Sequence, residues 1–226
     1  MRSALALASF ALTACGCDQT ATPAPRSGVV LEIDGIEVRD AELKPLLDYI
    51  EASGERTGRN FAMQIVLERH VLPLRVAQRA FAAQRAELKV RADAFLRSVI
   101  DSGGADPQLR SKGQLLGGET SPGLLSRTGM DLAQAAYCFV ADNLGVVSPV
   151  IELPRGYCVV SFSDHKPGVE RSGDLVNAYQ VPFYTHTRLQ FEDWWAAQKK
   201  ALADKLTYLH PDYADALPPW IKRIKP

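Results

Sequence analysis

The stretch Gly123–Phe162, GLLSRTGMDLAQAAYCFVADNLGVVSPVIELPRGYCVVSF, decides how the rest of the chain is read. It opens with a glycine-started loop, after which Leu132–Phe139 predicts a short helix. Asp142-Asn143 marks a turn, Ser148-Pro149-Val150 starts an extended segment, and Gly156–Phe162 (GYCVVSF) reads as a strand. Downstream, Ser163–Gly173 with its Pro167-Gly168 pair is a turn. Alternation over Leu175–Val181 then predicts another strand, with Pro182 ending its pairing.

Upstream, VVLEIDGIEV (Val29–Val38) alternates around Asp34-Gly35, a two-residue hairpin signal. Asp40 is the expected N-cap of a helix through Leu43, Leu46, Leu47 and Ile50, which Gly54 and Gly58 break. From Asn60 to about Ser102 the chain reads as helix, with one stripe from Phe61 to Phe81 and a second from Leu88 to Ile100. Pro73 should kink or split it. Arginines 69, 75, 79, 85, 91 and 97 read as a solvated face, and His70 as structural or exposed. Asp106–Glu119 reads as a polar, Gly-rich connector. Near the end, Arg188–Leu206 predicts a helix with Leu189, Trp194, Ala197, Ala201 and Leu202 on one stripe. Tyr208, Tyr213 and Trp220 in the tail suit either a peptide-binding strip or, as we favour, a clamp on the chain's own body.

The 226 residues carry 26 basic and 26 acidic side chains, so no global field draws nucleic acid to the chain. At 46% hydrophobic residues the composition is that of a globular protein able to bury a core. Met1-Arg2 and the apolar run Ala4–Leu12 predict a targeting segment too short to span a bilayer. It ends in Leu12-Thr13-Ala14-Cys15, which resembles a bacterial lipobox; a plain secretory signal is the alternative. The lipobox likeness implies cleavage before Cys15 and acylation there, enough to anchor the chain stably. Gly16 in place of an aspartate points to the outer membrane where a cell has one. Thr20–Ser27 reads as a tether.

Cys17, Cys138 and Cys158 remain, an odd number with no zinc spacing, so at most one pair forms within the chain. A Cys138–Cys158 disulfide is one pairing an oxidising compartment allows. Cys158 has no His or Asp motif beside it, and a small residue filling a core slot is preferred to a nucleophile. No phosphate-binding, nucleophile-elbow or metal-protease motif is present, and no cofactor or metal is expected.

The order Gly123, Ser126-Arg127, Met130, Ala135-Ala136-Tyr137, Ser148-Pro149-Val150, Gly156-Tyr157 resembles the second half of a parvulin-type peptidyl-prolyl isomerase domain. The entry VVLEIDGIEV followed by Glu42-Leu43 is similar to the N-terminal helical region of exported chaperone–isomerases. The resemblance implies a proline cup with Met130, Leu125 at a wall position, and Cys158 where the family carries a histidine. It also implies substrate contacts from Gln134, Phe139 and Tyr157, and leaves His165 and His186 as candidates for a second histidine. The family's first strand has no counterpart before Gly117, so Leu175–Val181 is expected to pair with Gly156–Phe162 and fill that slot.

The expected fold is therefore α+β, with a signal peptide (1–14), a tether (15–28), a helical chaperone-like region (29–104), a parvulin-like domain (105–187) and a C-terminal helix and tail (188–226). The expected function is a lipid-anchored foldase of the cell envelope acting on unfolded or proline-containing exported polypeptides, with weak or absent isomerase activity. A non-catalytic assembly module is the alternative, and an isomerase site rebuilt around Met130, Cys158 and His186 a weaker third.

Overall fold

The structure, a computed structural model, describes residues 26–54, 57–120, 123–169 and 173–223. The expected signal peptide, Cys15, Cys17, most of the tether and Lys225 lie outside them. The fold is α+β, built on two antiparallel sheets.

The hairpin forms as the Asp34-Gly35 pair predicts. Strand β1 (Val29–Ile33) turns through Asp34 (φ 50) and Gly35 (φ 73) into β2 (Ile36–Arg39). Helix α1 (Asp40–Ala52) follows, but Asp40 is its first residue and not its cap. The cap is Arg39, whose N–H donates to Glu42 Oε1 at 3.0 Å. Helix α2 (Arg59–Val66) runs into a π turn at Leu67–Val71, where Leu72 N–H reaches back five residues to Leu67 O. Pro73, with no N–H to give, sits just after this widened turn, in α3 (Leu72–Ala80). Phe61 is exposed, and the buried set is Ala62, Met63, Val66, Leu67, His70, Val71, Leu72, Pro73, Val76 and Ala77, its helical phase shifted from the π turn onward. Phe81 leaves helical geometry at φ −120, and α4 (Ala82–Ile100) sets off separately.

The expected connector is instead helix α5 (Asp106–Gly113), started by Pro107 in its first turn. It leads to the short strand β3 (Glu119–Thr120). Then come α6 (Leu132–Cys138), β4 (Ile151–Leu153), β5 (Gly156–Lys166) and β6 (Leu175–Tyr184). The four-stranded sheet has the order β3-β6-β5-β4. The expected pairing is present: Gly156 faces Tyr184, Val159 faces Val181 and Phe162 faces Ala178.

Pro182 does not end the pairing but lies inside β6, opposite Cys158. Thr185 N–H bonds the carbonyl of Arg155 directly across from it. Alternation then puts Cys158 and Pro182 in a non-hydrogen-bonded pair, so the position of the missing N–H faces away from β5. On that side β3 covers only Tyr179 and Gln180, and the proline breaks nothing.

Packing divides the chain differently from the sequence boundaries. Leu31, Leu43, Met63 and Val76 share one core with Phe191, Trp195 and Leu202 of α7 (Arg188–Leu202), and with Leu206, Ala216 and Ile221. The two chain ends therefore build one lobe. Strand β7 (Leu206–Leu209), expected as helix and tail, pairs with β1. Tyr208 is buried, Tyr213 Oη donates to Asp40 Oδ1 at 2.9 Å, and Trp220 packs edge-on to Trp195 at 5.7 Å, as a clamp requires. The α7 stripe is Phe191–Trp195–Leu202; Leu189, Ala197 and Ala201 are exposed. Helix α4 leaves the N-terminal region altogether: Ala92, Phe95 and Val99 pack on Tyr157, Val159, Tyr179, Val181 and Phe183. Helix α6 covers the other face of that sheet, with Met130, Ala135 and Cys138 against Val160, Phe162, Val176 and Ala178.

Gly156 holds φ +147, and a Cβ there would collide with the carbonyl oxygen of Phe183. Gly156→Ala should therefore cost ~2–4 kcal/mol, against less than ~1 kcal/mol for Gly58→Ala, where φ is −58 and the space open. Urea unfolding followed by tryptophan fluorescence measures both.

Candidate functional site

The residues singled out from the sequence converge only in part. Strand β5 alternates, so Cys158, Val160 and Phe162 face α6 while Tyr157 and Val159 face α4. Tyr157 is thus on the opposite side of the sheet from Met130, Gln134 and Cys158 and does not share a cup with them. Its ring instead lies under the Arg85 guanidinium at 5.2 Å.

On the α6 face, Met130 is 8%, Gln134 3% and Cys158 0% exposed, so this surface is closed. Gln134 uses both of its amide N–H donors: Nε2 donates to Cys158 Sγ at 3.2 Å and to Gln180 Oε1 at 2.8 Å. Leu125 forms an isolated bridge with Val176 along β6 and packs at the rim of this core. Cys138 and Cys158 are both free, so the disulfide considered from the sequence is absent. Burial pushes the Cys138 thiol up to about 12 and the Cys158 thiol higher still, with Gln134 opposing it in part. Burial thus disfavours the thiolate of both, the form that nucleophilic chemistry on this face would need.

The histidines stand elsewhere. His186 packs on Phe81 with ring centroids 4.6 Å apart, its Nδ1 3.0 Å from Thr185 Oγ1. His165 lies 3.5 Å from Asp174 Oδ2. Asp174 also accepts from Gly168 N–H at 2.9 Å and from Arg127 at 3.3 Å. Burial alone would raise its pKa, but Gly168, His165 and Arg127 together hold it below the ordinary value. Phe139, expected to touch substrate, instead carries the Arg127 guanidinium on its face at 4.4 Å. Arg127 is 7% exposed and also donates to Tyr49 Oη at 2.9 Å, tying the sheet's rim to α1. The Ser126-Arg127 pair was legible as a motif; its pairing with Asp174, across 47 residues, was not.

A second polar cluster corrects one more expectation. Arg85 is not solvated but 3% exposed, donating to the carbonyls of Pro154 and Leu153 and to Glu152 Oε1 at 2.8 Å. It covers main-chain acceptors at the β4 edge. Glu152 also accepts from Gln78 and Tyr157; burial alone would raise its pKa, but Gln78, the Arg85 bond and charge, and Tyr157 together lower it. His70 is buried in the π turn, with Nδ1 lacking a hydrogen-bond partner.

Among the described residues no set of three or more His, Cys, Asp or Glu side chains gathers to hold a metal, and no helix is long and apolar enough to cross a membrane. Two shallow depressions lie away from the α6 face, one beside Gln108 and Ser111, the other between β2 and α3. No family model matches the chain, and no curated protein or solved structure matches it.

Burial pushes the His70 imidazole down to about 4 from 6.5, with Glu152 opposing weakly. Between those values the unfolded chain binds the extra proton, so stability should rise by about 3 kcal/mol from pH 4 to pH 6.5 and level off above. Urea midpoints across this window should show that slope, and His70→Leu should flatten its share of it.

Proposed function

We propose that this chain is a parvulin-related foldase lipoprotein of the cell envelope that holds unfolded or proline-containing exported polypeptides without turning over their prolyl bonds. The observation that carries the absence of turnover is the closed α6 face, where Met130, Gln134 and Cys158 are buried and the Gln134 amide is committed to its neighbours. Prolyl isomerisation must overcome a barrier of about 18–20 kcal/mol by surrounding a twisted amide. A face filled by its own helix has no place for that amide. The pairing of Leu175–Tyr184 with β5 supports kinship with the parvulin sheet, since it supplies the strand that the motif order lacks. The hairpin-led lobe, whose core is closed by α7 and β7, is the body to which we assign client holding.

The test uses the soluble form from Asp18 onward. In a cis/trans assay on short X-Pro peptides, neither this protein nor Met130→Ala should exceed the uncatalysed rate. The same protein should suppress aggregation of two unrelated denatured proteins. Catalysis that Met130→Ala abolishes would restore the isomerase reading. Failure to suppress either client would leave the fixed-partner assembly module as the better account.

A further inference from the structure

Helix α6 lies between the hairpin-led lobe and the four-stranded sheet and belongs to both. Leu132 and Ala136, one turn apart, pack in the lobe's core, while Ala135 and Cys138 pack against β5 and β6. Two buried cations paired with carboxylates accompany this apolar seam. Arg127, 7% exposed, donates to Tyr49 Oη of α1 and to Asp174, just before β6. Arg85, 3% exposed, donates to Glu152 of β4, and Gln78 of α3 reaches the same Oε1 from the lobe at 3.0 Å. His70, in the π turn that also meets α6, is buried with its Nδ1 unpartnered.

The other polar and charged groups around these three are accounted for. Asp174 also meets His165 of β5 at 3.5 Å and the Gly168 N–H, and Glu152 meets the Tyr157 hydroxyl and the field of His70. Against the π turn, α6 brings no charged side chain, and α2 has one, Arg59, at its far end. Lys199 of α7 pairs with Glu68 of the turn, and Arg69 of the turn donates to Thr128 O. Lys44 and Asp48 pair within α1, and Arg75 of α3 pairs with Glu42.

Acid reverses the balance at this joint. Protonating Asp174 or Glu152 leaves a buried guanidinium facing a neutral acid, and protonating His70 adds a further buried cation. Burial raises both carboxyls, but their partners hold them below their ordinary values. Both pairs therefore persist above those values and are lost as pH falls through the lower, folded ones. For His70, held by burial at about 4 against 6.5, the opened form takes the proton first, so opening is favoured from pH 6.5 downward. The core under α4, built by Ala92, Phe95, Val159 and Val181, is apolar and keeps its packing through the same fall.

We infer that the joint between lobe and sheet is an acid-released clasp: protonation of Asp174, Glu152 and His70 opens it and uncovers the Leu132 and Ala136 flank of α6, while the lobe and the α4 side of the sheet stay folded. The device does not depend on the client-holding reading; it sets when an apolar surface of α6 becomes accessible.

The test follows residue-resolved amide exchange of the soluble form from Asp18 onward between about pH 7 and about pH 3.5, with the intrinsic pH dependence of exchange removed. Tryptophan emission is read alongside, since Trp194, Trp195 and Trp220 all lie in the lobe. Ala135 and Ala136 should lose roughly tenfold or more of their protection at the acid end, while Met63 and Val159 keep theirs and the emission stays native. Glu152→Gln and Asp174→Asn, fixed in the neutral form, should each move the midpoint of this loss to higher pH, and His70→Leu should move it lower. Undiminished protection of α6 at about pH 3.5 overturns the clasp. So does loss at α6, Met63 and Val159 together with a shifted emission, which is global unfolding. A local loss whose midpoint neither carboxamide variant moves overturns it as well. The unmutated protein decides the first two outcomes even where a variant fails to fold.

Discussion

The long ladder between Gly156–Lys166 and Leu175–Tyr184 is the constraint on which the rest of the structure depends. It places β6 inside the four-stranded sheet, with β3 beyond it and β4 at the far side of β5. Because strand side chains alternate, this one pairing feeds two cores: Val159, Val181 and Phe183 on the α4 side, Val160, Phe162 and Ala178 on the α6 side. A slip of one residue would exchange the two sets and strand Gln180 away from Gln134. The register also puts Pro182 where its missing donor faces outward, beyond the reach of β3.

Around this sheet the chain closes on itself. The hairpin and first helices cannot bury their apolar faces alone, and the lobe is completed by α7, β7 and the tail, from the far end of the described chain. Two buried arginines tie elements together from over aromatic rings: Arg127, on Phe139 and Tyr49, joins the sheet's rim to α1, and Arg85, on Tyr157, joins α4 to the end of β4. Removing Arg85 would uncover the Tyr157 ring, take a buried donor from the carbonyls of Leu153 and Pro154 and leave Glu152 without its cation. Losing one partner of such a buried set costs far more than the pair itself contributes. The function we propose follows from the same economy: Met130, Gln134 and Cys158 are spent in closing the α6 face.

Much of this was legible in local sequence. Asp34-Gly35 fixes a turn that needs positive φ, and Leu175–Val181 alternates cleanly enough to predict the strand, while its partner was expected from the family likeness. What escaped was set by distant chain. Arg85 looks like any helix-surface arginine until the carbonyls some 68 residues on arrive against it. The π turn shifted the stripe of the helical segment, and no periodic reading anticipates an extra residue. Strand β5 is buried on both faces over Gly156–Phe162, so its pattern carries no sign of which side Tyr157 takes. The family likeness assigned it to the cup, and the register puts it on the other face. Asp106–Gly113 was obscured by polar composition, although Pro107 in its first turn was a start signal.

The most direct test of this account is native-state thiol labelling of Cys158 in the soluble form from Asp18 onward carrying Cys138→Ala, followed across sub-denaturing urea. If the α6 face is closed as described, the free energy of exposing Cys158 will equal that of global unfolding and fall with urea at the same slope. Labelling that is fast in the absence of urea and insensitive to it would mean that the face opens locally, and a proline-binding cup would then exist where we describe a sealed core.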